Sequence, residues 1–148
     1  MAASDLPDVA DLLAFLDASP SPYHGAATAA ARLTAAGFAP IGIGDDWSAV
    51  PTSGFVVVGG ALVAWHVPDR AGPGAPFRLV GAHTDSPTLR IKPHPDTQRV
   101  GWHQLNVEVY GGILNNSWLD RDLGISGRIT LADGTHHLVD VARPVARV

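Results

Sequence analysis

Val80-Gly81-Ala82-His83-Thr84-Asp85-Ser86-Pro87 decides how the rest of the chain is read. An apolar run that begins at Phe77 feeds a His-x-Asp triplet and stops at a proline. The run predicts a buried strand over Phe77–Ala82, with His83 at its end. Residues two apart share one face of a strand, so the His83 imidazole and the Asp85 carboxylate can meet. A metal-binding imidazole needs rigid support and a partner for its second ring nitrogen, and a carboxylate two residues on supplies that partner. These residues leave two roles open for His83. It is either a zinc ligand oriented by Asp85 or a hydrogen-bonded structural histidine. Chance alone gives roughly 0.6 His-x-Asp triplets in such a chain, so the triplet is not specific by itself. A second one, His94-Pro95-Asp96, follows Pro93 with no apolar run before it, and reads as a solvated loop.

The composition narrows the chemistry. The chain has 148 residues, 46% of them hydrophobic and 16% charged, which fits one soluble globular unit. Net charge is -4 and the 10 basic residues are scattered; nucleic-acid binding needs a clustered basic face, so that class is excluded. Cysteine is absent, which removes disulfides and thiolate sites and leaves any metal to His and carboxylates. No apolar run approaches a membrane span. Met1-Ala2-Ala3-Ser4-Asp5 lacks the basic start and apolar core of a signal peptide. A cytoplasmic protein is the expectation. Glu108 is the only glutamate and sits in an alternating strand pattern, and no His-Glu-x-x-His occurs. A hydrolytic dinuclear site uses a carboxylate base, often Glu. Here that base is an Asp, or it lies outside this chain.

Outward from the triplet, helices precede it and strands follow. Ser4 or Asp5 can cap a first helix with Pro7 in its first turn. Leu6, Val9, Leu12, Leu13 and Leu16 form its apolar stripe, and Pro20 and Pro22 end it. A second, Ala-rich helix is predicted over Gly25–Ala36, closed by Gly37 and suited to packing on a sheet. Phe55–Val58 and Ala61–His66 flank Gly59-Gly60, a hairpin signal. Pro68–Pro76 reads as a turn or loop. After Pro87 the pattern turns all-β. Leu105–Tyr110 alternates, and Gly124–Leu131 and His136–Val141 flank an Ala132-Asp133-Gly134 turn. The changeover falls near Ile91–Pro95, dividing the chain into residues 1–94 and 95–148. Gly111-Gly112 suits a turn or a close backbone approach. Asp120-Arg121-Asp122 reads as a structural ion-pair knot, and His136 and His137 face opposite ways on one strand. Trp47, Trp65, Trp102 and Trp118 read as packing residues. The helix-then-strand order predicts an α/β layer followed by an unfinished β region.

Five blocks then combine: Phe15-Leu-Asp-Ala-Ser-Pro-Ser-Pro-Tyr-His24, Leu79-Val-Gly-Ala-His-Thr-Asp-Ser-Pro87, Leu89-Arg-Ile-Lys-Pro93, Val107-Glu-Val-Tyr-Gly-Gly112 and Trp118-Leu-Asp-Arg-Asp-Leu-Gly-Ile-Ser-Gly-Arg128. In this order and spacing the chain closely resembles the aspartyl aminopeptidase family of dinuclear zinc metallopeptidases, from about Leu12 to Val148. The resemblance implies the N-terminal part of a zinc-peptidase α/β domain (1–94), followed by the start of an inserted all-β dimerisation domain (95–148). It implies peptide substrates cleaved after an N-terminal, typically acidic, residue, and a dodecamer built from dimers. It implies two Zn2+ per complete active site, with His83 matching the first zinc ligand and Asp85 the carboxylate that orients it. The other ligands and the Glu base of the family have no counterpart here, so the isolated chain is expected to be inactive. It is also expected to self-associate through unpaired sheet edges. The alternative reading is a non-catalytic dimerisation and assembly module. A stand-alone β-rich binding domain is disfavoured by the helical N-terminus and the His83 block.

Overall fold

The computed structural model describes residues 7–72 and 74–148. The expected cap at Ser4 or Asp5, and Leu6 of the apolar stripe, lie outside these residues. Helix α1 (Pro7–Asp17) ends just before Pro20, as its sequence requires. Helix α2 (Pro22–Ala35) starts three residues earlier than the Ala-rich run predicts. The reason is a complete start signal. Ser21 is the N-cap in an extended conformation, Pro22 occupies the first turn, and the Ser21 hydroxyl accepts from the His24 backbone N–H at 3.4 Å. At the other end Gly37 has φ +86°. Phe38 N–H donates to the Leu33 carbonyl and Gly37 N–H to that of Thr34, each at 3.0 Å. This is a Schellman closure, and it needs a residue that tolerates the left-handed region. Asp11 pairs with Arg32 at 2.7 Å, and the Arg32 guanidinium lies over the Phe15 ring, linking α1 to α2 at an exposed site where such pairs add little.

Helix α2 packs on a three-stranded sheet of order β1-β2-β3. Strand β1 (Ala39–Pro40) runs parallel to β2 (Ser53–Val58), and β2 pairs antiparallel with β3 (Ala61–His66). The β2–β3 turn is the predicted Gly59-Gly60, with Gly59 at φ +60°. Gly60 is needed for a second reason. A Cβ there would lie 2.9 Å from the Pro22 Cβ, so the turn seats directly on the start of α2. Ala26 of α2 and Phe55 of β2 are buried in this layer, Gly25 is buried near Ser19 and the Thr84 carbonyl, and Gly54 is buried beneath Trp65. Trp65 closes over Gly54, donates its indole N–H to the Pro51 carbonyl at 2.9 Å, and packs on Trp47 with ring centroids 5.7 Å apart.

Two long ribbons follow. Strands β4 (Thr88–Arg99) and β5 (Trp102–Tyr110) are joined by Val100-Gly101, both at positive φ, the conformation that matches strand twist in a two-residue turn. Strands β6 (Asp122–Thr130) and β7 (His136–Arg147) are joined through the predicted Ala132-Asp133-Gly134 turn. The second ribbon returns to the helical part. Ser126 Oγ donates to the Pro20 carbonyl at 2.8 Å, and the Arg128 guanidinium lies 4.5 Å from the Tyr23 ring centroid.

Phe77–Ala82 is not a strand. It carries no ladder, and Phe77, Leu79 and Val80 are almost fully exposed, Val80 at 99%. A strand exists only against a neighbour, and no strand among the described residues pairs with this run. His94-Pro95-Asp96 is solvated but is not a loop: it lies inside β4. Lys92–Pro95 face only Asn106 across the ribbon, with His94 at φ +55°. Pro93 and Pro95 fit because each strand of a two-stranded ribbon is an edge, where a missing N–H is tolerated. Trp102 is not a packing residue, being 73% exposed at the ribbon tip.

Buried apolar residues among those described are only Ala26 and Phe55. The chain exposes 11540 Å², against roughly 7,200 Å² for a folded monomer of its mass. Ladders and caps are made locally, while most apolar side chains remain uncovered.

Candidate metal centre

The His83 segment is held although it lacks a strand. Thr88 begins β4 and pairs with Tyr110, the last residue of β5. Gly111, at φ +71°, brings its backbone against Pro87, where a Cβ would lie 3.4 Å from the Pro87 Cα. The expected close approach at Gly111 is therefore real, and it anchors the chain two residues beyond Asp85.

His83 and Asp85 meet, though in an irregular segment and not across the strand face expected, with Nδ1 and Oδ1 3.1 Å apart. The other carboxylate oxygen accepts from the Tyr110 hydroxyl at 2.6 Å. The Tyr110 bond first, and the His83 bond second, hold the Asp85 carboxyl below the usual carboxylate range. Asp85 is therefore ionised at neutral pH and can only accept, so Nδ1 is the donor in this contact and Nε2 is the nitrogen that points away from the carboxylate. The same bond raises the Tyr110 phenol, since ionising it would lose a donor and set two negative charges together. The Arg90 guanidinium lies 5.1 Å from the Tyr110 ring centroid. The His83 side chain is 93% exposed, leaving Nε2 accessible.

Beside this pair is a cleft of about 320 Å³, lined by Pro22, Tyr23, Val58, Gly60, Ala61, Thr84 and Asp85. The start of α2, the β2–β3 turn and the His83 segment thus converge at one place. The Ser21–His24 contact, with the Ser21 hydroxyl and the His24 Nδ1 2.7 Å apart, belongs to the cap of α2, whose next residues Pro22 and Tyr23 line this cleft.

Other candidates resolve as structure. Arg147 is held by Asp120 at 2.9 Å and Asp122 at 2.7 Å, closing the open end of the second ribbon. Asp120 and Asp122 thus form an ion-pair knot, but its cation is Arg147. Arg121 instead lines a separate recess with Ser117, Trp118 and Leu123. His136 meets the Thr130 hydroxyl at 2.9 Å. Tyr110 is the participant that the sequence reading missed. Its bond to Asp85 spans 25 residues, and strand alternation alone does not reveal it.

The donor set fits zinc in part. An imidazole whose Nδ1 is engaged by a carboxylate is a ligand arrangement used by zinc, but a zinc site takes three or four protein donors. No cluster of three or more His, Asp or Glu suited to a metal occurs among the described residues. His83 is thus suited to be one ligand of a larger site.

The site is thus an imidazole engaged by a carboxylate beside a cleft at a helix–sheet junction. Residues 15–148 match the family described as aminopeptidase I zinc metalloprotease (M18). The chain belongs to this family. It is 59% identical over 138 residues to "Probable M18 family aminopeptidase 2" of Streptomyces coelicolor, covering 93% of this chain and 32% of that protein. It superposes on the structure of Chaetomium thermophilum mApe1 with a TM-score of 0.85 at 32% identity, covering 93% of this chain and 33% of that one. On the S. cerevisiae mApe1 dodecamer the TM-score is 0.77 at 28% identity, covering 93% and 34%. The chain therefore spans about a third of the length of the curated relatives it matches.

Proposed function

We propose that this chain supplies His83 as a zinc ligand, and Asp85 as the carboxylate orienting it, to an aminopeptidase active site completed by further polypeptide. The observation that carries this reading is the His83–Asp85 contact beside the cleft, in a chain of the M18 family. Zinc bound there supplies Lewis-acid polarisation and an acidified water. The chain's own contribution is orientation. Asp85 fixes the His83 tautomer and raises the basicity of Nε2, and Pro22, Tyr23 and Gly60 shape the wall beside it. Two Zn2+ per complete site belong to the same proposal.

The substrates in this reading are peptides, cleaved to release an N-terminal residue that is typically acidic. Residues 1–94 belong to the catalytic α/β domain and 95–148 to a dimerisation domain, with the changeover at the irregular stretch of β4. The protein assembles into a dimer-based dodecamer, an assembly supported by the dodecameric relative, and acts in the cytoplasm. No helix among the described residues is long and apolar enough to cross a membrane.

The alternative is a non-catalytic assembly module, favoured by the lack, among the described residues, of a cluster of three or more His, Asp or Glu suited to a metal. Peptides beginning with Asp, Glu or Leu, offered with zinc to the protein of full family length and to the 148-residue chain, separate the two. Release of Asp or Glu by the longer protein, and none by the shorter, is the expected result. No release by the longer protein would leave the assembly reading.

A further inference from the structure

The Tyr110 hydroxyl links the two parts of the molecule. It sits at the last position of β5, in the ribbon, and donates at 2.6 Å to Asp85, in the segment before the ribbon. Its partner oxygen is Oδ2, and His83 engages Oδ1. A carboxylate with a donor on each oxygen cannot rotate without breaking one of the bonds. The phenol is itself located from three directions. The Thr88–Tyr110 pairing sets its height on the ribbon, Gly111 against Pro87 fixes the turn beyond it, and the Arg90 guanidinium covers its ring. None of these neighbours accepts the hydroxyl in place of Asp85.

We propose that Tyr110 is a positioning residue for the zinc site: it locks the rotation of Asp85, thereby aims the His83 ring, and makes zinc affinity depend on the seating of the β4–β5 ribbon. This rests on His83 being a zinc ligand, as proposed above. The consequence is directional. A change at the ribbon that moves Tyr110 lowers zinc affinity without touching a ligand, so assembly through the β-rich part and metal loading are coupled.

The test uses the protein of full family length. Zinc release to a competing chelator is measured for the wild type and for His83→Ala, Asp85→Asn, Tyr110→Phe and the Asp85→Asn/Tyr110→Phe pair. Melting of each apoprotein and kcat and KM on one peptide are measured alongside. Tyr110→Phe keeps the ring and removes only the hydroxyl. It is expected to weaken zinc about tenfold, at the lower edge of outer-shell effects, and to lower kcat with KM and apoprotein melting unchanged. In the Asp85→Asn background it adds nothing further, because the hydroxyl acts through that carboxylate. Unchanged zinc affinity in Tyr110→Phe, while His83→Ala loses metal, would overturn the role of Tyr110 and leave the site reading intact. Additive effects in the double variant, or a Tyr110→Phe protein that fails to fold, would also overturn it by giving the hydroxyl a different duty. Full zinc retention in His83→Ala would instead remove the site reading itself.

Discussion

The helix–sheet layer and the two ribbons are held by different forces. In the layer, α2 covers β1–β3 and buries Ala26 and Phe55. The ribbons have longer ladders, yet Ile91, Leu105, Val109, Ile129 and Leu138 remain exposed on them. A ladder needs only its two strands, which a turn brings together. A core needs a second surface. The ribbons therefore take their shape from turn chemistry, and the layer takes its shape from packing. The His83 segment lies between them, with neither a ladder of its own nor a core.

Substitutions can sharpen this contrast, beginning with the largest effect on folding. Phe55→Ala removes a ring that is only 5% exposed. The expected cost is about 3–5 kcal/mol, read by denaturant unfolding as a shift in midpoint at constant slope. A loss below about 1 kcal/mol would mean that the layer is not the stabilising unit. Gly60→Ala places a methyl 2.9 Å from Pro22 and is expected to cost about 1–3 kcal/mol through overpacking. Ser21→Ala removes the cap of α2 for about 1 kcal/mol, visible as reduced helix signal in circular dichroism. On the ribbon, Ile129→Ala at a 49% exposed position should change stability by less than about 0.5 kcal/mol. A larger loss in the 148-residue chain would mean that its ribbons already have a covering partner. Self-association of that chain, read by sedimentation, would be such a cover.

Where structure is local, it is legible in the sequence. Gly59-Gly60 and Ala132-Asp133-Gly134 each specify a turn, and the strands beside them follow. The closing Gly37 of α2 is equally plain, while its start is not, because Pro22 reads together with Pro20 as a stop for α1 although it opens α2 behind the Ser21 cap. The apolar run Phe77–Ala82 carries the composition of a buried strand, but composition does not supply the neighbour that makes a strand. In the site, the His83–Asp85 contact was legible from their closeness in sequence, although the strand face expected to bring them together is absent and the contact forms in an irregular segment. The Tyr110 hydroxyl was not, because its approach depends on the pairing register of β4 and β5 and on the turn at Gly111.

The most direct test of the account is the zinc content and peptidase activity of His83→Ala in the protein of full family length. Loss of bound zinc is expected, with a fall in kcat/KM beyond the ~100-fold that removal of an outer-shell partner costs. Full zinc content with near-normal turnover would contradict it, and would return His83 to the role of an exposed, structural histidine.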